Sequence, residues 1–151
     1  MNRKYSGQSD EVERQIAIKW LASLGWEYIP EGEQYSKYDL KFKKADRFLK
    51  IELEHRFEFK HFIDAEGWYD FPYSTIHVPA RKEASEANLY LIFNRDRSQI
   101  LMLRMDQIKV SPVIKVALNR PDSLGIEDFY DVALNTNKWK VVELDKSQIV
   151  S

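Results

Sequence analysis

The chain contains no cysteine. Disulfides, thiolate metal sites and cysteine nucleophiles are therefore excluded, and a reducing compartment, the cytoplasm, is the expected location. No apolar run approaches the ~18 residues of a membrane span, so no membrane partner is expected. The stretch Met1-Asn2-Arg3-Lys4-Tyr5 lacks an apolar signal region. Gly25 and Gly32 are isolated turn residues, and neither a P-loop nor a dinucleotide fingerprint is present. His55, His61 and His77 fit no HExxH or zinc-finger spacing. No serine sits in a plausible nucleophile elbow. These absences weigh against nucleotide hydrolases and triad hydrolases.

Net charge is −1, so bulk attraction to a polyanion is also missing. The local balance differs. Residues 37–60 hold eight Lys/Arg against five Asp/Glu, and residues 81–109 hold six against four. Residues 9–33 and 122–145 each hold two against six. A basic middle between acidic ends is compatible with a phosphate-tracking face, and equally with a mixed solvated surface. The length of 151 residues predicts one domain spanning 1–151. A domain of this size buries roughly 68–70% of its unfolded surface and needs no staple.

Periodicity predicts an α/β fold. A helix is predicted over 9–24, with Ser9 as cap and Asp10, Glu11 and Glu13 at its positive end. Val12, Ile16, Trp20 and Leu24 recur every four residues on its apolar face, and Gly25 stops it. A short strand is predicted over 26–29, then a turn at Pro30-Glu31-Gly32-Glu33. Strands near 37–44 and 47–55 are joined so tightly by Lys44-Ala45-Asp46 that an antiparallel hairpin is implied. Residues 57–74 interleave aromatic and charged side chains, readable as a base-stacking surface or as a loop's own small core. Further strands are predicted at 74–78, 87–94, 99–105 and 141–144, with a hairpin across 95–98. Short helices are predicted near 105–109, 112–119 and 125–134.

The candidate site lies on the hairpin. Asp39 precedes Leu40-Lys41-Phe42, and Glu52 and Glu54 alternate with Ile51 and Leu53. Period-2 alternation puts Glu52 and Glu54 on one face of their strand and the apolar residues on the other. Adjacent acids repel and are poor strand formers, a cost that a shared cation would remove. Mg²⁺ takes hard oxygen ligands, often one or two carboxylates plus substrate phosphate. The plainer alternative is a set of surface salt bridges, with Lys41 or Arg56 as partners.

The order helix, turn, strand with Asp39, strand with Glu52-Leu53-Glu54 resembles the PD-(D/E)xK nuclease superfamily over about residues 9–105. Asp39 matches the first motif carboxylate, although Tyr38 stands where that motif has Pro. Glu52 matches the second, and Glu54 occupies the usual Lys position. The run Ile76-His77-Val78-Pro79-Ala80-Arg81-Lys82, followed by Leu89-Tyr90-Leu91-Ile92-Phe93, also looks like small phage-type nuclease-like proteins.

The resemblance implies a restriction-endonuclease-like mixed central sheet flanked by helices. It also implies an Mg²⁺- or Mn²⁺-dependent endo- or exonuclease acting on DNA, with a homodimer as a further candidate assembly. Catalytic candidates are Asp39, Glu52 and Glu54, and metal-ligand candidates are Asp39, Glu52 and Glu13, with Glu11 a weaker choice. Lys41, Lys43, Arg81 and Lys82 are the nucleic-acid-binding candidates, and Lys41 or Lys82 could supply the missing motif cation. His77, opposite in phase to Ile76 and Val78, is placed towards the site, and His55 away from it. The alternative function is a nuclease-like module that binds nucleic acid or protein without catalysis.

Overall fold

The computed structural model describes residues 11–30, 38–63, 73–120, 123–134 and 139–144. Ser9 and Asp10, the turn at 31–33 and the aromatic residues Trp68, Tyr69 and Phe71 lie outside the described residues. The architecture is mixed α/β and rich in strand, with helices α1 (Glu11–Ser23) and α2 (Met105–Ile108). A large sheet runs β1 (Glu27–Tyr28), β2 (Leu40–Lys44), β3 (Arg47–His55), β5 (Leu89–Phe93), β6 (Gln99–Arg104) and β9 (Trp139–Glu143). All neighbours pair antiparallel except β3 and β5, which are parallel. A smaller antiparallel sheet is ordered β4 (Thr75–Pro79), β8 (Ser123–Ala133), β7 (Val113–Arg120).

Side-chain alternation divides the large sheet between separate cores. Leu40, Phe42, Ile51, Leu53, Leu91, Phe93 and Ile100 face α1, which contributes Ile16, Ala17, Trp20 and Leu21. Tyr90, Ile92, Leu101 and Leu103 face the other way, towards Ile76 and Val78 of β4 and Tyr130 and Val132 of β8. The layers are thus helix, large sheet, small sheet. β5 is apolar along its length because both of its faces are covered.

Turn chemistry sets the register. Gly25 (φ +94°) ends α1, and Trp26 N–H closes the turn on the Leu21 carbonyl at 2.9 Å. Ala45 (φ 56°) and Asp46 connect Lys44 and Arg47, the paired last and first residues of the β2–β3 hairpin. Two buried amides then hold the segment after β3. Gln99 Oε1 accepts from Phe62 N–H at 2.6 Å, and Asn94 Nδ2 donates to the Lys60 carbonyl at 2.7 Å. Phe62 joins the core between the sheets, while Phe57 is exposed.

The expected helices near 112–119 and 125–134 are strands. Residues 113–120 and 123–133 form a long hairpin whose alternate residues Tyr130 and Val132 reach the core. Its apolar spacing suits either element over a short run, and pairing with β4 decides for strand. Leu24, expected on the buried stripe of α1, is 49% exposed because the helix ends before it. Among the described residues no helix is long and apolar enough to cross a membrane.

Leu91 is fully buried at the centre of the large sheet. Leu91→Ala is expected to cost about 2–5 kcal/mol through lost burial and a residual cavity. Ile126→Ala, at a side chain 67% exposed, should change stability by less than about 0.5 kcal/mol. Denaturant midpoints at constant slope would check both; equal effects would contradict the layer assignment.

Candidate functional site

Asp39 stands immediately before β2 and takes a place in the β2–β3 ladder with its side chain. Its N–H donates to the Ile51 carbonyl at 2.8 Å, and its Oδ2 accepts the Leu53 N–H at 2.8 Å. Helix α1 reaches the same point, with Arg14 Nη1 donating to the Asp39 carbonyl at 3.2 Å. Burial and then the Glu52 charge raise the Asp39 pKa, against the Leu53 N–H, Lys82 and Arg14, which lower it. Asp39 and Glu52 are next to the Leu40–Ile51 pair in the β2–β3 register, one on the β2 side and one on the β3 side.

The cation beside these carboxylates arrives from another element. Pro79 ends β4, and the chain turns at once into a 3-10 helix (Ala80–Ala84) that carries Lys82 over the large sheet. Lys82 Nζ donates to Glu52 Oε1 at 2.7 Å. Glu52 is only 7% exposed, so it depends on this partner for charge compensation. The preceding residue turns the other way: Arg81 Nη1 pairs with Glu127 Oε2 of β8 at 2.7 Å. These adjacent residues, both expected to hold phosphate, thus divide their roles between anchoring the turn and serving the carboxylates.

Glu54 shares the face of Glu52 but has its own partners. Arg56 clamps both of its oxygens, at 2.6 Å and 3.1 Å, and also donates to the His77 carbonyl at 2.5 Å. The Tyr90 hydroxyl donates to Glu54 Oε1, the oxygen that also accepts from Arg56 Nη2. Burial and the Glu54 charge raise the Tyr90 pKa well above its usual value, so the phenol keeps its proton for this bond. Among the described residues no group of three carboxylate or imidazole side chains is arranged to hold a metal ion. A convergence of Asp39, Glu52 and Glu54 on one ion is thus not what the structure assembles. It brings together Asp39, Glu52 and Lys82, with Glu54, Arg56 and Tyr90 beside them.

Glu13 is not brought to this cluster. On α1 it shares the stripe of Ile16, Ala17 and Trp20, which packs on the opposite face of the large sheet. There it is fully buried, 2.5 Å from Arg97 Nε and 3.7 Å from His55 Nδ1. Glu11 accepts a hydrogen bond from Gln15 on the exposed helix surface. His55 faces away from Glu54 as its phase requires. His77 does not face the site: Ile76 and Val78 fill the core between the sheets, so alternation turns His77 outward, 3.4 Å from Asp131. Lys41 and Lys43 lie on the Glu52 face further out along the hairpin, with their Nζ atoms over the Phe48 ring at 4.8 and 5.9 Å.

Asp39 and Glu52 are hard oxygen donors on one face of the sheet, the residue types that a divalent cation takes. Two carboxylates held close enough to repel, with Asp39 pushed towards its neutral form, are the donor set that a small hard cation relieves. Arg56 is the salt-bridge partner that the sequence offered, and it takes Glu54, whereas Tyr90 was not legible as a site residue. Tyr90 reaches Glu54 because β5 pairs with β3 in a register that sets Glu52 opposite Tyr90, a long-range pairing without a local signal.

No family model, no curated protein and no solved structure matches this chain.

The raised Asp39 pKa has a definite sign in stability. The folded protein holds that proton more tightly than the unfolded chain, so the charged form opposes folding above the folded pKa. The penalty fades as pH falls through that value and is gone below 3.8. Asp39→Asn is therefore expected to raise the metal-free melting temperature at pH 7, with the gain shrinking as the medium is acidified. Thermal melts across pH would check this; a lower melting temperature for the variant at pH 7 would contradict it.

Proposed function

We propose that this chain is a metal-dependent nuclease that hydrolyses phosphodiester bonds in DNA, built on a restriction-endonuclease-like variant of the PD-(D/E)xK fold. The observation that carries the reading is the 2.7 Å contact of Lys82 Nζ with Glu52 Oε1, beside Asp39. An acid, an acid and a lysine are the residue types that the PD-(D/E)xK motif requires. Here the lysine comes from the turn after β4, and Glu54 stands at the motif position. The order of α1, the β1–β2–β3 meander and a parallel β5 further supports the reading.

Asp39 and Glu52 would hold Mg²⁺ or Mn²⁺. Such an ion, when bound, supplies positive charge at the phosphoryl oxygens and acidifies a water molecule. The protein's own share is electrostatic and orienting. The Leu53 N–H fixes one Asp39 oxygen. Lys82 fixes one Glu52 oxygen and offers an ammonium to a phosphate at the same place. Arg56 and Tyr90 fix the orientation of Glu54, two residues along the strand from Glu52. From there Glu54 can accept a proton from water. A cytoplasmic location goes with this proposal and with the absence of cysteine.

One observation favours a second reading. Glu52 and Glu54 already have cations in Lys82 and Arg56, so the cluster is largely neutralised without metal. A nuclease-like module that binds nucleic acid or protein without cleaving it would have this property.

Incubation with linear, nicked, branched and single-stranded DNA and Mn²⁺ separates the readings. Cleavage is expected, and Asp39→Asn and Glu52→Gln should abolish it. Lys82→Ala should lower the rate by roughly 10²-fold or more, the scale of removing one charge-stabilising donor. Its melting temperature should still rise with metal. Full activity in Glu52→Gln would refute the assignment, and no cleavage of any form by the unaltered protein would favour the binding module.

A further inference from the structure

The outer end of the β2–β3 hairpin carries an unusual surface. Phe48 is 51% exposed on the sheet face opposite α1, although the neighbouring apolar strand residues Leu40, Phe42 and Ile51 are buried. The register sets Lys43 directly across from Phe48, and Lys41 across from Lys50. The ammonium groups of Lys41 and Lys43 lie 4.8 and 5.9 Å from the Phe48 ring centroid, and Lys50 lies 5.2 Å from that of Tyr38. The basic and aromatic surface runs along β3 into the cluster, and Phe48 lies four residues from Glu52. That is about 13 Å at roughly 3.3 Å per residue.

We propose that this surface binds unpaired nucleotides of a single-stranded polynucleotide, with Phe48 stacking on a base and Lys41 and Lys43 taking the adjacent phosphates. The inference rests on the reading of Asp39, Glu52 and Lys82 as a phosphodiester-cleaving site. The match is chemical. Each nucleotide offers a flat π-face next to an anion, and the hairpin offers a ring next to two ammonium groups. An ammonium held over a ring can swing to a phosphate while the ring accepts a base. The ring also selects the form of the substrate. In a duplex, base faces are stacked on one another and cannot reach an exposed phenyl group, whereas an unpaired base can. The proposal therefore narrows the substrate to single strands, or to the frayed and unpaired parts of branched DNA, threading past Phe48 towards Asp39 and Glu52.

Binding of labelled single-stranded and duplex oligonucleotides, measured by fluorescence anisotropy in chelator, tests this without relying on cleavage. Single strands should bind more tightly than duplexes. Phe48→Ala and Phe48→Leu should both weaken single-strand binding roughly tenfold, the scale of losing one stacked base, and leave duplex binding unchanged. Phe48→Trp should retain binding, and the emission that this substitution adds should be quenched by the oligonucleotide. Lys43→Ala should lower the salt slope by about one unit. Equal affinity of Phe48→Ala and unaltered protein for single strands would overturn the proposal. So would added emission in Phe48→Trp that stays unquenched at saturation. Phe48-dependent binding by a protein that never cleaves would support the stacking surface while removing the nuclease reading.

Discussion

Glu52 and Glu54 point into the space between two sheets, and the need to compensate those charges there shapes what surrounds them. A buried carboxylate is tolerated only when paired and hydrogen-bonded. Each glutamate has a dedicated cation, Lys82 for Glu52 and Arg56 for Glu54. Both cations are also tied to the small sheet. Lys82 sits on the turn that ends β4, and Arg56 is held by the His77 carbonyl in the middle of that strand. The apolar residues of β4, Ile76 and Val78, bring the strand down onto the large sheet and deliver its polar contacts with it. Core packing and site assembly are thus the same event on this side of the molecule.

The other side of the large sheet solves a similar problem with different means. Glu13 lies fully buried on the core stripe of α1 and meets Arg97 from the β5–β6 turn. Arg97 adopts φ 61°, an uncommon conformation for a side chain of its size. This acid therefore acts as a tie between the helix and the far end of the sheet. Residues at one end of α1 divide accordingly: Glu13 ties the helix to a turn, and Arg14, next in sequence, reaches the Asp39 main chain. The helix contributes to the site by holding the start of β2 in place rather than by adding a ligand.

Much of the local structure was legible in the sequence because it rests on short-range physics. The four-residue recurrence in α1, the Gly25 stop, and the tight β2–β3 connection are all nearest-neighbour signals. The phase of Glu52 and Glu54 relative to Ile51 and Leu53 follows from strand alternation alone, and so does the phase of His55. Where period-based reading failed, at 113–120 and 123–133, the local pattern permitted two elements and a distant strand chose between them. His77 failed for a related reason. Its phase within β4 was readable, but which face of β4 turns towards the large sheet was not.

The sequence by itself determined that Glu52 and Glu54 lie on one strand of a hairpin and Asp39 at the start of the other, because alternation and turn length are properties of a few consecutive residues. Only the tertiary structure decided that Glu52 meets Lys82 and that Glu54 meets Tyr90 as well as its neighbour Arg56. Lys82 is 30 residues from Glu52 and Tyr90 is 36 from Glu54. Such contacts exist only once β5 has paired parallel to β3 and the small sheet has closed over them. Tertiary structure likewise took Glu13 away from the cluster, since the helix stripe that carries it must pack where the apolar residues of the large sheet lie. Burial of apolar surface, which has no memory of sequence distance, made both decisions.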